Sequence, residues 1–199
     1  GRLTACEAIL HYQARAFQAS PVPPCAQCAF APYVLEHVRA VGFDVLVNRP
    51  KVAAYRAPGA PISEYAVESV VDEIAKKLDI DPIEFRLKNA SREGTKASHG
   101  PKFGPIGLVE TLEAAQAHDH YQLPLQPGQG RGVASGYWLN IGGQTSVSIN
   151  TGEDGKVALV VVTPDVGGTQ PTRGMIVTEA HGTALDKLRP QIGDTSRPG

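Results

Sequence analysis

The stretch that decides the fold is VAAYRAPGAP, residues 52–61, a loop rich in proline and glycine. Before it, residues 38–48 alternate apolar and other side chains with the period of a β-strand. After it, residues from about 63 to 78 repeat apolar side chains at the spacing of a helix. A loop held between a strand and a helix is where a rigid scaffold commonly presents a binding site.

The chemistry of this loop suits an anion. Gly59 can adopt backbone angles that other residues avoid, and the prolines at 58 and 61 hold φ near about −65°. Arg56 adds a planar guanidinium that keeps its charge. We therefore expect a stiff, narrow loop whose N–H groups and Arg56 face an oxyanion or a phosphate-bearing cofactor. The alternative is a helix-entry turn with one surface arginine.

Three ordered blocks give the chain a family resemblance. YRAPGAP at 55–61, ESVVDEIA at 68–75 and LDIDPIEFRLKN at 78–89 resemble the molybdopterin-binding large subunit of the xanthine dehydrogenase and aldehyde oxidase family. The resemblance extends over essentially the whole chain and suggests an internal fragment of a larger subunit. It implies an α+β fold of mixed sheets with packed helices. We expect a first cofactor-binding lobe at 1–92, a linker at 93–104 and a second lobe at 105–199.

The resemblance also implies the cofactor-binding residues. It places Arg56, Ala57, Pro58 and Gly59 near the oxo or sulfido ligands of the molybdenum. A second turn carries Gly167, Gly168 and Thr169 where the family has Gly-Gln-Gly. Without that glutamine, contact with the pterin would come from backbone groups and the Thr169 hydroxyl. We expect the two turns to converge on one cofactor; the alternative for the second is an ordinary tight turn.

Two departures from the family limit what can be carried over. Ala57 stands where the carbon monoxide dehydrogenases of this family have a copper-holding cysteine, so a copper-dependent CO oxidiser is not expected. Pro58 stands where many xanthine and aldehyde oxidisers have an aromatic residue near the substrate. The substrate of those enzymes is therefore not transferred to this chain.

The activity implied by the resemblance is hydroxylation of an aldehyde or an N-heterocyclic carbon with water as the oxygen source. The cofactor would be molybdenum-molybdopterin, with the cytosine dinucleotide form left open. Iron–sulfur clusters and FAD would lie on other domains or subunits, so a hetero-oligomer acting on a small-molecule substrate is expected. By this resemblance, the family's general-base glutamate is expected beyond Gly199, and no catalytic residue is assigned. The alternative is a non-catalytic binding or assembly module that retains the scaffold.

Composition excludes several other classes of protein. A net charge of −1 over 199 residues provides no basic surface for nucleic acid or an acidic membrane. The sequence contains no apolar run near the ~20 residues that a membrane span requires. Three cysteines are too few for a disulfide scaffold, which suits a reducing compartment. We expect a cytoplasmic protein, with the periplasm left open.

Several local expectations complete the prediction. Residues 3–19 are expected to form a strand, with a helix left open, and the proline-rich segment 20–32 is expected to hold no regular element. The pair Cys25 and Cys28 in that segment lacks a second pair for a metal, which favours structural or incidental thiols. His118 and His120 are expected at the surface because residues two apart do not share a helix face.

The helix after the loop is expected to begin with Ser63 as its N-cap. Its apolar stripe is expected to include Ile62, Val70, Val71 and Ala75. Its acidic residues are expected to face solvent; these are Glu64, Glu68, Asp72 and Glu73.

Two later elements are also expected. Asp81 and Pro82 predict the start of a short helix that ends near Asn89. Residues 151–155 predict a hairpin turn, after which a helix should start near Pro171.

Overall fold

The computed structural model describes residues 1–139, 144, 146–161 and 167–192, which belong to two compact units, 1–140 and 141–199. The predicted α+β class is confirmed. The first unit contains, in chain order, β1 (Ala5–Arg15), α1 (Val22–Cys28), β2 (His37–Leu46), α2 (Ala60–Lys77), α3 (Pro82–Asn89), α4 (Leu108–Ala117) and α5 (Asp119–Gln122). The second contains β3 (Val147–Thr151), β4 (Val157–Val161), α6 (Thr169–His181), a 3₁₀ turn (Leu185–Lys187) and β5 (Leu188–Ile192).

The first unit begins with a two-stranded parallel sheet. β1 pairs with β2 from Ala5 opposite His37 to Arg15 opposite Leu46, and the register shifts between Gln13 and Arg15. Both predicted strands are thus confirmed, and the helical alternative for 3–19 is wrong. Parallel neighbours need a crossover connection, and here α1 lies within it.

The expectation that residues 20–32 hold no regular element is wrong, because α1 occupies 22–28. Pro23 and Pro24 fall in the first turn of this helix, where N–H groups have no intrahelical acceptor and the fixed φ of proline suits the backbone. The proline run therefore starts a helix here. Its buried residues are Val22, Cys25 and Cys28.

The predicted N-cap of α2 is also wrong. The helix begins at Ala60, and its N-cap is Gly59 in the left-handed region at φ 85°. Ser63 lies inside the helix, where its buried hydroxyl is 3.0 Å from the carbonyl oxygen of Cys25 and 3.1 Å from that of Ala60. A glycine that can take a positive φ allows the helix to start three residues before the serine.

The apolar face of α2 is narrower than its sequence predicts. Val71 and Ala75 are buried against Tyr33 and Phe85. Val67 and Ile74 are partly buried and pack against the same cluster. Ile62 and Val70 are exposed instead, so the predicted stripe reaches the core only in part.

The short helix α3 begins as predicted. The Asp81 carboxylate accepts hydrogen bonds from the backbone N–H groups of Ile83 and Glu84 at 2.8 and 3.0 Å. Ile83 then packs with Val109 and Leu112 of α4. The predicted linker at 93–104 thus lies inside the first unit, and the two cofactor-binding lobes at 1–92 and 105–199 stay a prediction.

The second unit contains a three-stranded sheet in the order β3-β4-β5. β3 and β4 are antiparallel and form the predicted hairpin, with Gly152 N–H donating to the carbonyl of Lys156 across the turn. β4 and β5 are parallel, and α6 connects them. Val157, Leu159 and Leu188 form the core of this unit. Within the described residues of both units, the structure has no helix with the length and apolar character of a membrane span.

Candidate functional site

The loop that precedes α2 forms one wall of a cavity of about 430 Å³ in the first unit. The end of β1, Pro21 just before α1 and the first turn of α2 form the rest of the wall. All four residues predicted for this loop, Arg56, Ala57, Pro58 and Gly59, line the cavity. Its volume falls within the ~300–1,000 Å³ of small-molecule sites. The other lining residues are His11, Tyr12, Gln13, Arg15, Pro21, Val52, Ala53, Tyr55, Pro61 and Ile62.

Two buried side chains anchor this loop to the sheet and to α1. The Tyr12 hydroxyl donates to the carbonyl oxygen of Gly59 at 2.9 Å. The thiol of Cys25 donates in turn to the Tyr12 oxygen at 2.8 Å. Burial, followed by the neighbouring Cys25, raises the pKa of Tyr12, so the phenol keeps the proton that it donates. Cys25 therefore has a structural role, as its sequence context suggested.

Close packing explains why residue 59 is a glycine. A Cβ on Gly59 would lie 2.4 Å from the carbonyl oxygen of Pro21, which is a backbone atom with little freedom to move. Its φ of 85° also disfavours other residues. Ala57 adopts a φ of 51° although it has a Cβ. The loop thus contains backbone strain of the kind that clusters at functional sites.

The other candidate metal-binding residues do not assemble into a site. Cys25 and Cys28 are buried free thiols, and burial, followed by the charge of Glu64, raises the pKa of Cys28 to about 11. His118 and His120 are exposed on either side of a helix start. Over the described ranges, no three His, Cys, Asp or Glu side chains are grouped as metal ligands would be.

Sequence reasoning missed a cluster of buried charged side chains that joins α2 to α3. Glu68 is buried, which contradicts its predicted exposure, and it accepts hydrogen bonds from the Tyr33 hydroxyl and from Arg86 Nε at 2.8 Å. Arg86 is fully buried, and its Nη2 lies 2.7 Å from Asp72 Oδ1 as an ion pair without hydrogen-bond geometry. No local sequence signal marks this cluster, because its members come from separate elements.

Two acidic side chains of α2 accept hydrogen bonds from the backbone of the segment that follows α5. Ser135 N–H donates to Glu68 Oε2 at 2.7 Å, and Tyr137 N–H donates to Glu64 Oε1 at 2.7 Å. Glu64 is half-buried, and burial raises its pKa although Tyr137 N–H opposes the shift. Two of the four acidic residues predicted to face solvent therefore bind backbone instead.

The second predicted turn lies in the second unit. Gly167 and Gly168 both have positive φ, 87° and 77°, and Gly168 is the N-cap of α6. The helix starts at Thr169, two residues before the predicted Pro171. Positive φ at two successive glycines explains why this turn needs them. The preceding residues 164–166 lie outside the described residues, and convergence of this turn with the Arg56 loop stays a prediction.

Gln170 is a further residue that sequence reasoning missed at this turn. Its side chain is buried, and neither its Oε1 nor its Nε2 has a hydrogen-bond partner within the described parts of the chain. Buried amides are ordinarily hydrogen-bonded, so an unpaired one at a helix start suits contact with a ligand. The signal was available in the sequence as the glutamine that follows the Gly-Gly-Thr turn.

The sequence of this chain is similar to those of known molybdenum-binding proteins. Residues 1–90 match the molybdopterin cofactor-binding domain family. The molybdenum-binding subunit PaoC of the Escherichia coli K12 aldehyde oxidoreductase is 30% identical over 162 residues, which are 76% of this chain and 22% of that protein. The xanthine dehydrogenase molybdenum-binding subunit of E. coli O157:H7 is 48% identical over 67 residues, 33% of this chain and 9% of that protein.

A solved structure agrees with these sequence matches. The aldehyde oxidoreductase of Desulfovibrio desulfuricans ATCC 27774 superimposes with a TM-score of 0.70 at 26% identity, over 98% of this chain and 24% of that one. The chain thus spans about a quarter or less of the length of these relatives. It belongs to the family of molybdopterin-binding subunits that includes the aldehyde oxidoreductases and the xanthine dehydrogenases.

Proposed function

We propose that this chain forms part of the molybdopterin-binding region of a molybdenum-dependent oxidoreductase. The proposed reaction is hydroxylation of an aldehyde or an N-heterocyclic carbon with oxygen from water. The observation that carries the proposal is the anchored Arg56 loop, which lies within the matched residues 1–90 and lines a cavity of about 430 Å³.

The residues around the cavity fit an anionic cofactor. Arg15 and Arg56 line it together with His11, and no Asp or Glu is among the described residues that do so. A guanidinium matches oxyanions and phosphates in geometry as well as charge. Molybdopterin, when bound, would supply the redox centre that accepts two electrons from the substrate.

The chain itself would hold the cofactor and limit water around it. The Tyr12–Gly59 hydrogen bond fixes the loop before any ligand arrives, so little order is lost on binding. Val52, Pro61 and Ile62 give the cavity apolar walls. Such walls would lower the local dielectric and strengthen the attraction between an anion and the Arg56 guanidinium.

The Gly167–Gly168 turn is proposed as a second contact with the cofactor. The N-terminus of α6, a helix of 13 residues, presents backbone N–H groups to which anions bind. The Thr169 hydroxyl and the side-chain amide of Gln170, which has no hydrogen-bond partner among the described residues, would add side-chain hydrogen bonds. A cytosine dinucleotide extension of the pterin is compatible with this proposal.

Electron transfer would require further domains or subunits. Hydroxylation by water releases two electrons per turnover, and iron–sulfur and flavin partners would remove them, which implies a hetero-oligomer or a larger chain. Within the described residues, no cysteine group is arranged to hold an iron–sulfur cluster.

Isotope labelling of the assembled enzyme that contains this chain tests the proposed reaction. The enzyme would be supplied with an aldehyde and, separately, an N-heterocycle in water enriched in oxygen-18, with a dye as electron acceptor. We expect the label in the hydroxylated product. Turnover with oxygen from O₂ would refute the reaction, and bound cofactor without turnover would favour a non-catalytic binding module.

A further inference from the structure

The end of β1 carries an arginine in an unusual backbone conformation. Arg15 has a φ of 71°, in the left-handed region that residues with a Cβ rarely adopt. It sits at the register shift that interrupts the pairing of β1 with β2. Bulges of this kind redirect a side chain and occur often beside active sites.

Neighbouring backbone bonds hold Arg15 in this conformation. Val47 N–H donates to the Arg15 carbonyl at 3.0 Å, and Ala16 N–H donates to the Arg49 carbonyl at 3.0 Å. These two hydrogen bonds hold the backbone on both sides of the bulge and so keep Arg15 at its positive φ. Observed strain of this kind motivates a search for a function at the residue.

Arg15 lines the same cavity as Arg56. Its Nε is buried and has no hydrogen-bond partner among the described residues. A buried guanidinium nitrogen without a partner forfeits the hydrogen bond that it would have in water. An oxyanion in the cavity would compensate the charge of the Arg15 guanidinium.

The rest of the cavity wall suits an anion that also has an apolar part. Ala53, Tyr55 and Pro58 line it together with the basic residues, and no Asp or Glu is among the described residues that line it. Apolar walls around a small number of placed charges are typical of sites for small organic ligands.

We propose that Arg15 is an anion-binding residue that takes the carboxylate or phosphate oxygens of a small molecule bound in this cavity. The inference rests on the proposed function, because the anion would be either a carboxylate on the substrate or a phosphate of the cofactor. In both cases the ligand chemistry is an oxyanion recognised by Arg15 beside Arg56.

The test measures binding of two probes to the protein by calorimetry and by thermal stabilisation. Benzoate represents a substrate carboxylate on an apolar body, and inorganic phosphate represents the cofactor group. The variants are Arg15→Gln, which keeps the strained backbone, Arg15→Gly, which relieves it, and Arg15→Lys, which keeps the charge. Arg39→Gln, on the exposed face of β2, is the matched control for loss of one positive charge.

We expect at least tenfold weaker anion binding in the Gln and Gly variants, partial recovery in Lys and no change in Arg39→Gln. Arg15→Gly should also melt at the same or a higher temperature, because glycine tolerates the positive φ. A loss of binding without a loss of stability is a result that a structural role for Arg15 does not give.

The two probes separate the sources of the anion. Arg15-dependent binding of benzoate alone would indicate a carboxylated substrate, and binding of phosphate alone would indicate the cofactor; either supports the proposal. Equal affinity in wild type and Arg15→Gln, or no binding of either probe, would overturn it. Molybdopterin content, measured on the same preparations, reports separately on the proposed function.

Discussion

At the scale of single residues, Glu68 connects three separate parts of the first unit. Its carboxylate accepts hydrogen bonds from Tyr33, from Arg86 of α3 and from the backbone N–H of Ser135. Arg86 is fully buried, and a buried guanidinium that loses its ion-pair partner is strongly destabilising. Loss of the Glu68 charge should therefore weaken several contacts at once.

We predict that Glu68→Gln lowers the free energy of unfolding by about 3 kcal/mol, because it leaves the Arg86 guanidinium buried without its main counter-charge. Urea unfolding followed by circular dichroism measures the change. Glu73→Gln, on the exposed face of the same helix, should change it by less than about 0.5 kcal/mol. Equal effects of the two substitutions would show that the buried Glu68 contributes no more to the free energy of unfolding than an exposed glutamate does.

Cys28 gives the first unit a dependence on alkaline pH. Burial raises the pKa of its thiol from 9.0 to about 11, so between these values the unfolded chain loses a proton that the folded chain keeps. The free energy of unfolding should then decrease as the pH rises from about 9 to 11, by on the order of 2 kcal/mol. Below pH 9 the contribution is fully present.

Chemical denaturation at a series of pH values tests this dependence. Cys28→Ala should be less stable than wild type near neutral pH because it leaves a small cavity, yet its stability should decrease less steeply above pH 9. Parallel pH profiles of the two proteins would contradict the assignment of the slope to Cys28.

At the scale of elements, the loop before α2 is held by what precedes it in the chain. α1 supplies Cys25 and β1 supplies Tyr12, and together they fix the carbonyl of Gly59. The backbone of Pro21 leaves no room for a Cβ on Gly59. The position of the Arg56 loop is therefore a property of β1, α1 and α2 together.

We predict that Gly59→Ala lowers the free energy of unfolding by more than the cost of a positive φ at an alanine. The left-handed backbone costs about 1–2 kcal/mol for alanine, and the contact with the Pro21 carbonyl adds to it. Gly94→Ala is the matched control, because Gly94 has a φ of 78° but no atom within 4 Å of its added Cβ. Thermal unfolding of both variants isolates the contact, and equal shifts would contradict it.

The sequence predicted most elements, and its errors have physical causes. Alternation in 38–48 predicts β2, and Asp81 followed by Pro82 predicts α3, because these signals are local. The proline run in 20–32 predicts a break in regular structure, whereas prolines in a first helical turn favour α1. Ser63 matched the N-cap preference, but Gly59, with its positive φ, begins the helix earlier.

The candidate site could be predicted only in part for the same reason. The Arg56 loop carries its own proline and glycine signature, so local reasoning found it. The Tyr12 hydrogen bond to Gly59 joins residues 47 positions apart, and the buried pair of Glu68 and Arg86 depends on packing between helices. The spacing of apolar residues predicts a helix and its apolar face. It does not show which part of that face packs against a neighbouring element.

At the scale of the whole molecule, the chain combines two compact units, and each has a glycine-dependent turn at a helix start. Gly59 begins α2 in the first unit and Gly168 begins α6 in the second, both in the left-handed region. The family match covers residues 1–90, and the structural match covers nearly the whole chain. The central proposal is that these glycine-dependent turns bind molybdopterin.

The most direct test is the molybdenum and pterin content of protein that carries this chain, produced in cells that make molybdopterin. Elemental analysis gives the metal, and fluorescence of the oxidised pterin gives the organic part. We predict close to one molybdenum and one pterin per chain, with both reduced in Gly168→Val relative to wild type. Folded wild-type protein that contains neither molybdenum nor pterin would contradict the account.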